Sequence, residues 1–218
     1  MNDPELNATH QVGAPEPGTV GPDGPDLVLV LPDADATRAF GRALAARLRA
    51  GDLVILTGDL GAGKTTLTQG VGAGLGVRGQ VASPTFIVAR EHPSLVGGPA
   101  LVHVDAYRLG SLDEVDALDL DSSLDDSVTI VEWGQGLVEA LAGDRLEVVL
   151  ERPRGAGGVP TDGADDPHGG RASEEEAPEA GERRVVLRGV GQRWADLDVA
   201  TLARDAGTAP AARPAQQS

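Results

Sequence analysis

Apolar residues in this chain are gathered into short, dense runs. Residues 27–31, 53–56, 100–104, 128–131, 146–150 and 184–187 are each four or five residues long and are bounded by charged or turn-forming residues. Runs of that length predict β-strands. Residues 53–56, Leu-Val-Ile-Leu, contain no polar position, which predicts a strand buried on both faces as in a parallel sheet. A further strand is predicted over 85–89, after Ser83-Pro84. Helical spacing replaces the runs elsewhere. Phe40, Leu44 and Leu48 recur every four residues, with Arg38, Arg42, Arg47 and Arg49 left to face solvent. That pattern predicts a helix capped by Asp33 or Asp35 and running to about 50. A second helix is predicted over 65–75, ended by Gly76, and a last one from Trp194 to about 202. Residues 146–150 and 184–187 predict two arms of a hairpin with a long insertion, 155–183, between them. No internal repeat is present.

Composition divides the chain further. Eleven of its sixteen net negative charges lie in 1–26 and 155–183, segments rich in Gly, Pro and Ala with no apolar periodicity. Such segments predict disorder. The expected organisation is a tail over 1–26, one domain over 27–204 carrying the acidic insertion, and a second tail over 205–218. There is no cysteine, hence no disulfide and no thiolate metal site. No apolar run approaches the ~20 residues of a membrane helix, and the N-terminus has no signal-peptide pattern. A cytoplasmic protein is expected, without a membrane partner.

Lys64 is the sole lysine among 18 basic residues. It lies in Gly58-Asp59-Leu60-Gly61-Ala62-Gly63-Lys64-Thr65, which fits G-x-x-x-x-G-K-[ST] at every fixed position. An ammonium on a flexible stem enters a tight ring of backbone N–H groups where a guanidinium fork fits poorly. The loop lies between a predicted strand and a predicted helix, the context this motif requires. Asp59, Gly61, Ala62, Gly63 and Lys64 are therefore candidates for holding a nucleotide's phosphates, Thr65 for binding Mg²⁺, and Thr66 for a further phosphate. Strands and helices alternating around such a loop predict an α/β, P-loop NTPase-like three-layer fold with a central, mostly parallel sheet.

Mg²⁺ also needs a carboxylate. Asp105 and Glu132 each end an apolar run, where α/β proteins form their sites, and both are candidates for the metal and for orienting water. The residues leave open which does what. His103, inside a strand, reads as a packed or edge histidine. Tyr107 and Trp133 read either as core or, for Trp133, as a neighbour of the nucleotide or of a partner surface.

Four blocks occur in order: the loop through Thr66, Ser83-Pro84-Thr85-Phe86, His103-Val104-Asp105-Ala106-Tyr107-Arg108-Leu109, and Val131-Glu132-Trp133-Gly134. Together they resemble the TsaE (YjeE) family, small bacterial ATPases of tRNA threonylcarbamoyladenosine biosynthesis. The resemblance covers roughly 27–153 and, less clearly, 184–204. It implies ATP binding with Mg²⁺, slow hydrolysis by the isolated chain, and work alongside TsaD-like and TsaB-like subunits. Those partners modify adenosine 37 of tRNAs that read codons starting with A, and hydrolysis resets the complex between turnovers. It also implies Mg²⁺ ligation by Thr65 and Glu132 with Asp105 at the metal and water site. Thr85 would stand on a switch-like segment near the γ-phosphate, and Thr37 near the base. The tail and insertion have no counterpart in the family pattern. Arg193, where the match fades, is a candidate base or partner contact.

Other classes fit less well. A small-molecule kinase needs an arginine-bearing lid, and the long insertion is acidic. A GTPase's N-K-x-D motif needs a second lysine. A nucleotide-dependent binding module without useful turnover stays compatible with the residues. Direct tRNA binding is not expected without a basic face, so RNA contact falls to the partners.

Overall fold

The computed structural model describes residues 27–84, 87–152 and 181–208. Among the described residues seven strands form one sheet: β1 (Leu27–Leu31), β2 (Leu53–Thr57), β3 (Ala89–His92), β4 (Ala100–Asp105), β5 (Ser127–Glu132), β6 (Arg145–Glu151) and β7 (Arg183–Val190). Their order is β1-β7-β6-β2-β5-β4-β3. The four central strands β6, β2, β5 and β4 are mutually parallel, while β1, β7 and β3 join antiparallel. This is the expected α/β fold with a parallel core. The helices are α1 (Ala34–Ala45), α2 (Lys64–Leu75), α3 (Leu112–Asp116), α4 (Asp121–Leu124) and α5 (Val199–Asp205).

The unbroken apolar run of β2 serves two cores. Val54 and Leu56 face one, with Phe40, Leu44, Leu67 and Val71 from α1 and α2 and Leu202 from α5. Leu53 and Ile55 face the other, with Val102, Val104, Val115, Val131 and Val138. Period-2 alternation sends successive side chains to opposite faces, so a strand covered on both sides has no polar position. Three longer helices cover the first face. The short α3 and α4 help to cover the second.

Three elements depart from expectation. α1 is capped by Asp33, whose Oδ1 accepts the Ala36 N–H at 2.8 Å, but it stops at Ala45 rather than near 50. The chain beyond is captured by one local and one tertiary contact: the Asp52 carboxylate accepts the Arg49 N–H at 2.8 Å, and the Arg193 guanidinium donates to the Arg47 carbonyl. These bonds satisfy backbone groups that further helical turns would have used. Of the strand expected over 85–89, residues 85–86 lie outside the described residues, 87–88 are not strand, and β3 begins at Ala89. The N–H groups of Ile87 and Val88 both donate to the Pro84 carbonyl, closing a turn, and Val88 has φ +66°. The strand that follows, Ala-Arg-Glu-His, is an edge strand exposed at Arg90 and Glu91, so it has no apolar run to betray it. The last helix does not start at Trp194. Residues Gln192–Trp194 form a 3₁₀ turn, and α5 starts at Val199 under an Asp198 cap.

Residues 1–26, most of the insertion and 209–218 lie outside the described residues. Arg183, read from the sequence as the end of the insertion, is the first residue of β7 and is buried. At the other end, Thr208 Oγ1 donates to the Val30 carbonyl at 2.7 Å and ties the chain after α5 to β1.

Candidate functional site

The loop Gly58–Gly63 connects the C-terminal end of β2 to the N-terminus of α2. A Cβ on Gly58 would lie 2.2 Å from the Leu150 carbonyl oxygen of β6, and its φ of +146° is itself closed to L side chains. Gly63 takes the N-cap position of α2 at φ +107° and offers no side-chain cap. The first-turn N–H groups of this twelve-residue helix therefore have no capping side chain, and with the helix dipole they suit an anion.

Lys64 is buried. Its Nζ donates to the carbonyls of Gly58 (2.8 Å) and Asp59 (3.2 Å) and lies 3.8 Å from the centroid of the Trp133 ring. Burial pulls the ammonium below the ordinary lysine range, opposed by the charges of Glu132, Asp105 and Asp59. Asp59 and Ala62 also shape the loop, through the Ala62 N–H to Asp59 carbonyl bond at 3.0 Å.

The acids follow from strand alternation. Leu101 of β4 and Val128 and Ile130 of β5 belong to the α1–α2 core. The same rows continue as His103 and Asp105 on β4 and as Glu132 on β5, so their side chains point to the α2 side. Asp105 and Glu132 are register partners at the strand ends, and both are buried. Thr65, in the first turn of α2, donates its hydroxyl to the Glu132 carboxylate at 2.9 and 3.2 Å. His103, fully buried, lies with Nε2 2.8 Å from Glu132 Oε1. Asp105 accepts the Ser83 hydroxyl at 3.1 Å and the Tyr107 N–H at 3.0 Å. Trp133 adopts φ +62°, rare for a bulky side chain, and its ring packs 5.3 Å from that of Tyr107.

Lys64, Thr65, Glu132 and Trp133 thus converge within direct contact, and Asp105 stands beside Glu132. Thr37 is buried in α1, its hydroxyl donating to the Asp33 carbonyl at 2.9 Å, and its methyl lies behind Gly63. Gly61 and Thr66 occupy the loop and the first turn of α2. Thr85 lies outside the described residues.

Arg193 is elsewhere. It donates to both carboxylate oxygens of buried Asp52, at 3.0 and 2.8 Å, just before the start of β2 and therefore at the opposite end of the sheet from the loop. It is a structural clamp, not a base contact. His103 is packed, as one of the two readings had it, rather than at an edge, and it also touches a site carboxylate. The signal was present as one polar residue inside an apolar strand, two positions before Asp105 and so on the same face. The Arg183 side chain was also missed; its Nε would be 3.4 Å from a Cβ on Gly63.

The donor set bears on a metal. Among the described residues no cluster of three or more His, Cys, Asp or Glu side chains forms a cage. A hydroxyl and a carboxylate 2.9 Å apart at the phosphate loop suit Mg²⁺, which takes few protein ligands and completes its shell with phosphates and water.

A parallel-core α/β sheet with a G-x-x-x-x-G-K-T loop between its central strand and a helix defines a P-loop NTPase-like protein. Within that class the chain belongs to the TsaE family: the model for "Threonylcarbamoyl adenosine biosynthesis protein TsaE" matches residues 31–156. A Streptomyces coelicolor protein named tRNA threonylcarbamoyladenosine biosynthesis protein TsaE is 56% identical over 167 residues, covering 76% of this chain and 99% of that one. The Mycobacterium tuberculosis H37Rv protein of the same name is 49% identical over 129 residues, 56% of this chain and 77% of its own. The Bacillus subtilis one is 40% identical over 119 residues, 54% and 73%. The crystal structure of Bacillus subtilis YdiB aligns with TM-score 0.53 and 28% identity over 84% of this chain and 95% of that chain. Membership ties the chain to tRNA threonylcarbamoyladenosine biosynthesis, a tRNA modification. Among the described residues no helix is long and apolar enough to cross a membrane.

Proposed function

We propose that this chain binds ATP with Mg²⁺ and hydrolyses it as the ATPase component of the complex that forms N6-threonylcarbamoyladenosine at position 37 of tRNAs reading ANN codons. Its partners in this reading are TsaD-like and TsaB-like subunits. The observation that carries the proposal is the contact of Thr65 with Glu132 directly beside Lys64 at the start of α2. These are the groups a nucleotide triphosphate and its metal need in one place.

Each residue has a derivable task. The α2 first-turn N–H groups and the loop backbone bind phosphate oxygens. Lys64 exchanges two loop carbonyls and the Trp133 face for phosphate oxygens. Thr65 and Glu132 hold the metal. Mg²⁺, when bound with the nucleotide, neutralises charge on the phosphate oxygens. With Glu132 engaged by Thr65 and His103, Asp105 is the acid that orients the attacking water. Trp133 is placed to sense the nucleotide through Lys64 and to relay its state to Tyr107, whose ring is exposed. The net charge of −16 leaves tRNA contact to the partners.

The test is multiple-turnover tRNA modification with the partner subunits, supplied with ATP or with a non-hydrolysable analogue. Turnover with ATP alone is expected, and Lys64→Ala should abolish the stimulation. Equal turnover with the analogue would make the chain a binding module instead.

A further inference from the structure

We propose that His103 is a positioning residue that holds the Glu132 carboxylate in the orientation needed for Mg²⁺. The inference rests on the reading of Thr65 and Glu132 as the metal ligands. Glu132 is the last residue of β5 and is buried, so its carboxylate takes its orientation from the groups packed beside it. Oε1 is fixed by two donors, Thr65 Oγ1 at 2.9 Å and His103 Nε2 at 2.8 Å. A carboxylate oxygen only accepts, so the His103 Nε2 carries the hydrogen. The two donors differ in kind. Thr65 is itself a candidate ligand and is available to the metal. His103 is fully buried on β4 beside β5, so its ring is locked by packing and is not available as a ligand.

Packing alone gives no reason for an imidazole here. Nδ1 of His103 is buried and has no hydrogen-bond partner among the described residues. An apolar side chain would fill the space without desolvating two ring nitrogens. What an apolar side chain could not do is donate to Glu132. Groups of this kind, one shell behind a metal ligand, typically change metal affinity by roughly 10–100-fold when removed.

The experiment measures ADP binding calorimetrically across a Mg²⁺ series and in EDTA, for the full chain and for H103L and H103Q. Leucine removes the donor, whereas the glutamine amide nitrogen can replace Nε2. The expected result is an Mg²⁺ requirement raised roughly 10–100-fold in H103L and largely restored in H103Q, with ADP affinity in EDTA unchanged in both. Unaltered Mg²⁺ dependence in H103L would overturn the proposal. So would an equal loss of binding in EDTA, which would mean a merely structural role. If H103L fails to fold, the wild-type chain decides. With ¹⁵N-labelled histidine, adding Mg²⁺ to the ADP-bound protein should shift the His103 Nε2 resonance, and an unmoved resonance would refute the idea. Absence of any Mg²⁺ effect on the wild-type chain would instead remove the metal reading on which the inference stands.

Discussion

Arg193→Ala should destabilise the fold without weakening nucleotide binding. The guanidinium makes three hydrogen bonds, two to the Asp52 carboxylate and one to the Arg47 carbonyl. Asp52 is buried, so truncation leaves a carboxylate with one remaining donor, the Arg49 N–H. Breaking a buried pair by removing one partner typically costs about 3–5 kcal/mol, because the other charge stays buried. Arg193 is half-buried, which favours the lower end, near ~3 kcal/mol. For a domain of this size that corresponds to a Tm drop of roughly 6–12 °C. Urea unfolding of wild type, R193A, D52A and the double variant closes a mutant cycle. The double variant should cost less than the sum of the singles by at least ~1.5 kcal/mol. ADP affinity of folded R193A should equal that of the wild type, since the pair lies at the far end of β2. A cycle coupling below about 0.5 kcal/mol, or a loss of ADP affinity in the folded variant, would refute the clamp.

Three further outcomes follow from the site and core. Asp105→Asn should lower single-turnover ATP hydrolysis by ~10²-fold or more while ADP still binds, because the amide cannot take up the proton or orient water equally; an unchanged rate would return that role to Glu132. In a W194F background Trp133 is the sole tryptophan, and its emission should change as ADP displaces Lys64 from the ring; a W133F chain, reporting from Trp194, should stay silent. His92 is buried with its pKa lowered mainly by desolvation, so the unfolded chain takes up the proton first as pH falls. Stability from this group is therefore present above its ordinary value of 6.5 and is lost below it, and an H92Q chain should show a flatter urea-midpoint profile from pH 7 to 5.

What the chain declares locally was legible from its residues. The glycine-rich loop Gly58–Gly63 is contiguous, so the spacing of its residues alone reveals it. β2 reads plainly because burial on both faces leaves no polar position. Capping by Asp33 is also local, a bond across three residues. β3 was misplaced because an exposed edge strand has no apolar pattern and because the Pro84 turn precedes it.

Other decisions belong to the tertiary structure. The end of α1 is set in part by Arg193, 146 residues beyond Arg47, and no local rule could anticipate that bond. Asp105 and Glu132 could be named as strand-end acids, but their difference arises from what packs beside them. Glu132 meets Thr65 and His103, whereas Asp105 meets Ser83 and the Tyr107 backbone. His103 read as a packed or edge histidine, and only the β4–β5 register brings it to Glu132. The sequence by itself determined the G-x-x-x-x-G-K-T loop and its place between a strand and a helix, since that needs one contiguous segment. Only the fold decided how Glu132 is oriented, because a hydrogen bond 2.8 Å long between residues 29 apart exists only once two parallel strands are in register.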